Sequence, residues 1–170
     1  IAESALQVGS SHIRNLATTG GNLIQPLWWC NLPPVFLVLE AKIKLFGEKE
    51  KILALEEFYQ KKIFHDLKGE ILTEIFFENP GALSRGKFVK FSRTRGDLAI
   101  LNLAILLKKE KEMIKKARIA IGAAVPLARK IKKAESLLEG EKPAPELLAK
   151  AAETARNEVK PLSDLRASAE

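Results

Sequence analysis

The run Val8-Gly9-Ser10-Ser11-His12-Ile13-Arg14-Asn15-Leu16-Ala17-Thr18-Thr19-Gly20-Gly21-Asn22-Leu23 holds the densest chemistry in the sequence. Two adjacent glycines, Gly20 and Gly21, permit positive φ and let a ligand approach the backbone closely. Thr18 and Thr19 add hydroxyl groups, and successive backbone N–H groups can converge into an anion-binding nest. A pyrophosphate suits such a loop. A plain structural turn explains the same residues, since glycine is the common residue of turns. The spacing predicts that Thr18 to Asn22 forms an exposed loop with several N–H groups aimed at one concave spot.

Other reactive side chains are sparse. His12 and His65 are far apart and lack metal-ligand spacing, so no metal site is expected. Cys30 is the single cysteine, so it can form no internal disulfide. Asp97 reads as a helix cap or as a partner of Arg93 or Arg95, and Trp28-Trp29 as a pair that stacks on a ring or packs against the core or a neighbouring subunit. No residue reads as a general acid or nucleophile, and no catalytic residue is assigned.

These residues need elements to hold them. Ala2 to Gln7 suits a short helical turn. Pro33 to Glu40 predicts a helix, with proline tolerated at its first position. Lys42 to Phe46 reads as a strand, Gly47 to Lys51 as a hairpin-like turn, Ile52 to Leu55 as extended, and Glu56 to Gln60 as a short helix. Ile71 to Phe77 is rich in Ile and Phe and reads as a strand. Asn79-Pro80-Gly81 is the best boundary, because both of its steps favour turns. It divides the chain into 1–79 and 80–170. Phe88 to Phe91 and Lys115 to Gly122 read as strands. Leu98 to Leu107 is apolar on every side, so its period leaves helix and strand open. Apolar spacing predicts a helix over Ala128 to Leu138, stopped by Gly140, and another over Pro145 to Val159. Strands and helices without regular alternation predict an α+β fold.

The 170 residues are 46% hydrophobic and 29% charged, with a net charge of +7. Those fractions fit a globular protein. No apolar run reaches the roughly 18 residues that span a bilayer, and no signal-peptide pattern opens the sequence. No membrane association and a cytoplasmic location are therefore expected. The positive balance could serve nucleic acid. However, Lys108, Lys109, Lys111, Lys115 and Lys116 alternate with Glu110 and Glu112, which reads as a solvated face.

The run Ser11 to Leu23 resembles the Ile-Arg-Asn-x-Ala-Thr-x-Gly-Gly-Asn signature of the FAD-binding (medium) subunits of the molybdenum hydroxylases, the xanthine dehydrogenase and carbon monoxide dehydrogenase family. Further blocks are similar to that family in order. They are Gly69-Glu70-Ile71-Leu72-Thr73-Glu74, Lys90-Phe91-Ser92-Arg93 with Asp97 and Ala99, and Ala117-Arg118-Ile119-Ala120-Ile121-Gly122. The last is Pro126, Arg129, Glu135, Leu138 and Gly140.

The resemblance implies FAD as cofactor, held as electron acceptor from iron–sulfur clusters. It implies Ala17, Thr18, Thr19, Gly20, Gly21 and Asn22 as contacts to the pyrophosphate, with Arg14 anchoring their loop. Asn31 stands where the family carries an FAD-binding aspartate, and Lys90 stands near a lysine that reaches the flavin in some members. A solvent-facing strand lysine is the other reading of Lys90. The implied partners are a molybdopterin-binding large subunit and an iron–sulfur small subunit. The implied fold is a partial FAD-binding subdomain, a small mixed sheet with helices, over 1–79. The C-terminal domain, a three-stranded antiparallel sheet packed on helices, follows over 80–170. The family's first phosphate loop precedes the matched region, and the family continues past Ser163-Asp164-Leu165-Arg166. The chain is accordingly read as truncated at both ends, through a split gene with a separate chain supplying the first half, a decayed gene, or a deliberately cut piece. On that reading the isolated chain binds FAD weakly or not at all. The rival expectation is a non-enzymatic scaffold that keeps the fold without FAD and uses its basic face for a partner or nucleic acid.

Overall fold

The computed structural model describes residues 1–169. Three short helices open the chain: α1 (Ala2–Ala5), α2 (Ser11–Leu16) and α3 (Thr19–Ile24). The next helix, α4 (Leu32–Val38), has proline in its first turn and is buried along its whole length. A first sheet contains β1 (Lys42–Phe46), β2 (Lys51–Ala54) and β3 (Ile71–Phe76) in the order β2-β1-β3. Helix α5 (Leu55–Gln60) and a 3₁₀ turn at Ile63–His65 lie between β2 and β3. The second sheet contains β4 (Ser84–Phe91), β5 (Leu101–Glu110), β6 (Met113–Gly122) and β7 (Arg129–Lys130), in chain order. Helices α6 (Lys132–Leu138) and α7 (Pro145–Glu158) follow.

The architecture is α+β with small antiparallel sheets. Several local expectations change. The first sheet is antiparallel throughout, not mixed. The second carries a short fourth strand besides the three expected. Leu101–Glu110 is a strand, so Asp97 caps no helix; its Oδ2 accepts the Thr94 N–H at 2.9 Å and closes a turn. The helix expected from Ala128 begins only at Lys132. The edge of β6 captures the preceding backbone: Arg129 pairs with Ile121, Lys130 with Ala120, and the Ile131 N–H donates to the Ile119 carbonyl at 2.8 Å. Unpaired strand edges compete with helix formation, because buried backbone groups must find partners.

Beyond β7, side chains of α6 and of the residue that ends it continue that ladder. The Glu135 carboxylate accepts the Ile119 N–H at 2.7 Å, and Glu139 accepts that of Ala117 at 3.1 Å. The edge of β6 is thereby covered by a helix rather than by another strand.

The inner face of the second sheet explains where α4 sits. Cross-strand partners share a face, which gives three rows from β4 through β5 to β6. They are Lys90–Asn102–Gly122, Phe88–Ala104–Ala120 and Gly86–Leu106–Arg118. The middle row is buried and apolar, and it joins Val35, Phe36, Leu37 and Val38 of α4 in one core. That core also takes in Ile43 and Leu45 of β1, so it passes between the two sheets. At one end of α4, Asn31 meets Asn102; at the other, Glu40 meets Arg118. The nine residue steps from Asn31 to Glu40 at near-helical rise span about 13 Å, and the four steps from Asn102 to Leu106 on a strand span about the same. Helix and sheet therefore match in length, with a polar pair at each end. The opposite face of the sheet packs Ile119, Ile121 and Ile131 against Ala134, Leu138 and Ala151.

Candidate functional site

The glycine-rich run folds as a helix start rather than as the open loop expected. Ser10 caps α2 by accepting the Ile13 N–H, and Thr18 caps α3 by accepting the Gly21 N–H at 3.0 Å. Residues Thr19 to Asn22 are thus helical, which corrects the loop expectation. Hydroxyl side chains preceding a polar-to-apolar run are good N-caps, and here the cap overrides the glycines' freedom. The Asn22 N–H donates to the Thr18 carbonyl at 3.1 Å. The first turn still leaves the Thr19 and Gly20 N–H groups without an acceptor among the described residues. Ala17, Thr18, Thr19 and Gly21 are exposed; Gly20 and Asn22 are half-buried.

Both glycines also have packing reasons. A Cβ on Gly20 would stand 3.2 Å from Leu72, and one on Gly21 would stand 3.1 Å from Thr18 Oγ1. Arg14 does anchor the segment: its guanidinium donates to the Val8 and Gly9 carbonyls at 3.0 and 2.8 Å.

A second polar group forms around α4. Asn22 Oδ1 accepts the Leu32 N–H at 3.3 Å and ties α3 to the start of α4. Asn31 is only 4% exposed. Its Nδ2 donates to the Gln7 carbonyl at 2.9 Å, and its Oδ1 lies 3.4 Å from Asn102 Nδ2. Lys90 Nζ donates to the same Gln7 carbonyl at 3.0 Å and to the Arg95 carbonyl at 3.3 Å. Burial pushes the Lys90 ammonium below the ordinary lysine range, against the opposing pull of Asp97.

The structure therefore links Asn31 and Lys90 through the Gln7 carbonyl that both share, and places Asn22 beside them on the Leu32 N–H. Ala17 to Gly21 stand apart, at the exposed start of α3. Sequence reasoning missed Gln7 and Asn102. A main-chain carbonyl carries no side-chain signal, but a lone asparagine inside the apolar run Leu98 to Leu107 was a legible one. Cys30 is buried beside this group, and burial raises its thiol. Trp28 and Trp29 meet edge to face at 4.8 Å, and Trp28 stays 41% exposed.

Two clefts lie elsewhere. One of about 600 Å³ is lined by Glu40, Lys42, Phe77, Lys108, Lys116 and Arg118, and one of about 1010 Å³ by Glu56, Tyr59, Arg129 and Lys132 among others. Neither includes the residues above. The surface charge is largely mixed: Lys44, Lys87, Lys115, Lys116, Lys130 and Arg118 all sit against carboxylates. No helix among the described residues is long and apolar enough to cross a membrane.

Two family models match the chain. Residues 1–79 match the FAD binding domain in molybdopterin dehydrogenase, and residues 87–170 match the CO dehydrogenase flavoprotein C-terminal domain. Among solved structures, carbon monoxide dehydrogenase from Hydrogenophaga pseudoflava superposes with a TM-score of 0.91 at 25% identity, over 99% of this chain and 59% of that one. Among curated relatives, the nicotine 6-hydroxylase medium subunit of Paenarthrobacter nicotinovorans is 26% identical over 172 residues, covering 100% of this chain and 60% of the relative. The 6-hydroxypseudooxynicotine dehydrogenase complex subunit alpha of the same organism is 31% identical over 142 residues, covering 81% and 48%. The chain thus spans 60% or less of the length of these relatives. Fold and matches together define a flavoprotein component of molybdopterin-type dehydrogenases. The chain belongs to the FAD-binding medium-subunit family of the molybdenum hydroxylases. FAD is the cofactor that this family indicates.

Proposed function

We propose that this chain holds FAD as the electron acceptor from iron–sulfur clusters in a molybdenum hydroxylase complex. Its partners in that reading are a molybdopterin-binding large subunit and an iron–sulfur small subunit. The observation that carries the reading is the match of two flavoprotein domain models to consecutive parts of the chain. It further assigns 1–79 to the second part of the FAD-binding domain and 80–170 to the C-terminal domain. The two sheets lying on either side of Asn79-Pro80-Gly81 support that division. A single buried thiol suits a reducing cytoplasm.

The residues present fit the cofactor in part. The free N–H groups of Thr19 and Gly20 sit at a helix start, where an anionic phosphate is favoured. Ala17, Thr18, Gly21 and Asn22 would complete that turn as the pyrophosphate's holding residues. Lys90 would supply the positive charge that stabilises reduced flavin. Asn31, being buried and bonded to Gln7, acts by holding other groups in place rather than from the surface. When bound, FAD supplies the redox chemistry, and the protein supplies binding, orientation and electrostatics.

The test is purification of the protein from its native source. Visible flavin absorbance together with large and small partner subunits is the expected result. A colourless protein without those partners overturns the reading and favours the scaffold alternative. Thr19→Glu, which sets a carboxylate against the phosphate, is expected to weaken FAD binding about tenfold or more in a fluorescence-quenching titration.

A further inference from the structure

Asn102 is fully buried on β5 and sits in an otherwise apolar run. Its Nδ2 donates to the Cys30 carbonyl at 2.9 Å and reaches Asn31 Oδ1 at 3.4 Å. Its own Oδ1 is buried without a partner among the described residues. A half-satisfied buried amide is costly, and an apolar residue of similar volume would avoid the cost. Stability alone therefore does not explain this residue.

The fold also makes room for it. Gly122 is its cross-strand partner on β6. A Cβ there would overlap Asn102 Oδ1 and stand 2.9 Å from Pro34 Cγ. Lys90 is the partner on the other side, across β4. A cross-strand row thus ends in the ammonium, while a separate path of hydrogen bonds leads to the same ammonium. That path runs from Asn102 to Asn31, from Asn31 to the Gln7 carbonyl, and back from Gln7 to Lys90.

We propose that Asn102 is a positioning residue that fixes Asn31 and, through the Gln7 carbonyl that both share, sets the place of the Lys90 ammonium. The proposal deepens the flavin reading and rests on it for the identity of the group that Lys90 faces. An ammonium has three hydrogens. Two are held by the Gln7 and Arg95 carbonyls, and the third is left for an acceptor on an electron-rich ligand. The charged group that acts on Lys90 is Asp97, on the β4–β5 connection. Without Asn102, Asn31 loses its inner partner and the Gln7 anchor slackens. The ammonium then regains water.

The experiment follows Lys90 by NMR in the ¹³C-methylated chain, assigned with Lys90→Arg, in wild type and three variants. Asn102→Ala is expected to move the Lys90 titration upward, toward ordinary lysine. Leu106→Ala removes a buried side chain about 13 Å along the same strand. It is expected to lower thermal stability and to leave Lys90 unmoved. Gly122→Ala displaces the Asn102 amide without deleting it, and it is expected to reproduce the upward shift, also where Asn102→Ala does not fold. A Lys90 titration unchanged in the folded Asn102 and Gly122 variants, or moved equally by Leu106→Ala, overturns the proposal. FAD titration of the same proteins separates the two ideas. Asn102→Ala is expected to weaken FAD binding about tenfold relative to Leu106→Ala. No flavin on the wild-type protein purified from its native source, with the Lys90 shift still present, sinks the flavin reading and leaves the positioning role standing.

Discussion

At Gly122 the missing side chain is itself the structural requirement. A Cβ there meets both Asn102 and Pro34, and overpacking of this kind costs roughly 1–3 kcal/mol. Gly122→Ala is expected to lower stability by that order in a urea titration, and an unchanged midpoint would show that the seam between β6 and α4 is loose. Glu135 offers a test by pH. Burial raises its carboxyl, more than the Ile119 N–H lowers it. The folded state thus binds this proton more tightly than the unfolded chain does. Its contribution to stability is complete below the ordinary glutamate range and is lost as pH climbs through the raised value. Glu135→Gln keeps an oxygen acceptor for the Ile119 N–H and has no charge to bury. Thermal melts are expected to show the variant level with wild type at acid pH and at least as stable near neutrality. A variant that is weaker at neutral pH would mean that the carboxylate charge itself is needed there.

Helix α4 is the element that joins the two sheets, and its ends are held differently. Asn31 is buried against the Asn102 amide and the Gln7 carbonyl, whereas Glu40 faces Arg118, Lys116 and Lys130 near the surface. Burial alone would raise the Glu40 carboxyl. The Arg118 hydrogen bond and the charges of Arg118, Lys130 and Lys116 outweigh it and hold the group below the usual glutamate range. Its stabilisation is present above the ordinary range and is lost as pH falls through the lowered value. Because Glu40 is substantially exposed, Glu40→Gln is expected to cost no more than about 1 kcal/mol at neutral pH. That difference should shrink in acid and in high salt. A difference that persists in both would point to packing rather than charge. The apolar run and paired prolines made α4 legible in the sequence. The break between β7 and α6 was not, since Ile131, Ala134 and Leu138 keep helical spacing straight through it. Only the open edge of β6 decides that Arg129 and Lys130 pair as a strand.

Over the whole molecule, one core runs from β1 through α4 to the inner face of the second sheet. Residues on both sides of Asn79-Pro80-Gly81 therefore stabilise each other, and unfolding is expected to be a single cooperative transition. Trp28 and Trp29 report the first part by fluorescence, and far-ultraviolet circular dichroism reports the total helix and strand. Two separated midpoints would show that the halves fold independently. The last described residues are latched as well. Arg166 donates to the Ala99 and Ala123 carbonyls and pairs with Asp164, while the Arg93 guanidinium donates to the Arg166 carbonyl at 3.2 Å. Arg166→Ala is expected to release this segment, with faster amide exchange after Leu162. Unchanged protection would mean that other contacts suffice.

The sequence by itself determined the α+β class, the order of most elements, and the family resemblance carried by blocks such as Ile13-Arg14-Asn15 and Ala117-Arg118-Ile119. Those features depend on local propensity, turn chemistry and ordered residue types, all of which are written along the chain. Tertiary structure alone decided that Leu101–Glu110 is a strand, because an all-apolar segment takes the form of whatever edge it pairs with. The helix start at Thr19 to Asn22 is local instead: the Thr18 cap on the Gly21 N–H outweighs the freedom of two glycines. The meeting of Gln7, Asn31, Lys90 and Asn102 was beyond sequence for a plainer reason. These residues are up to 95 positions apart (7 to 102), and it is the register of β4 against β5, with α4 laid across them, that brings their polar atoms within bonding distance.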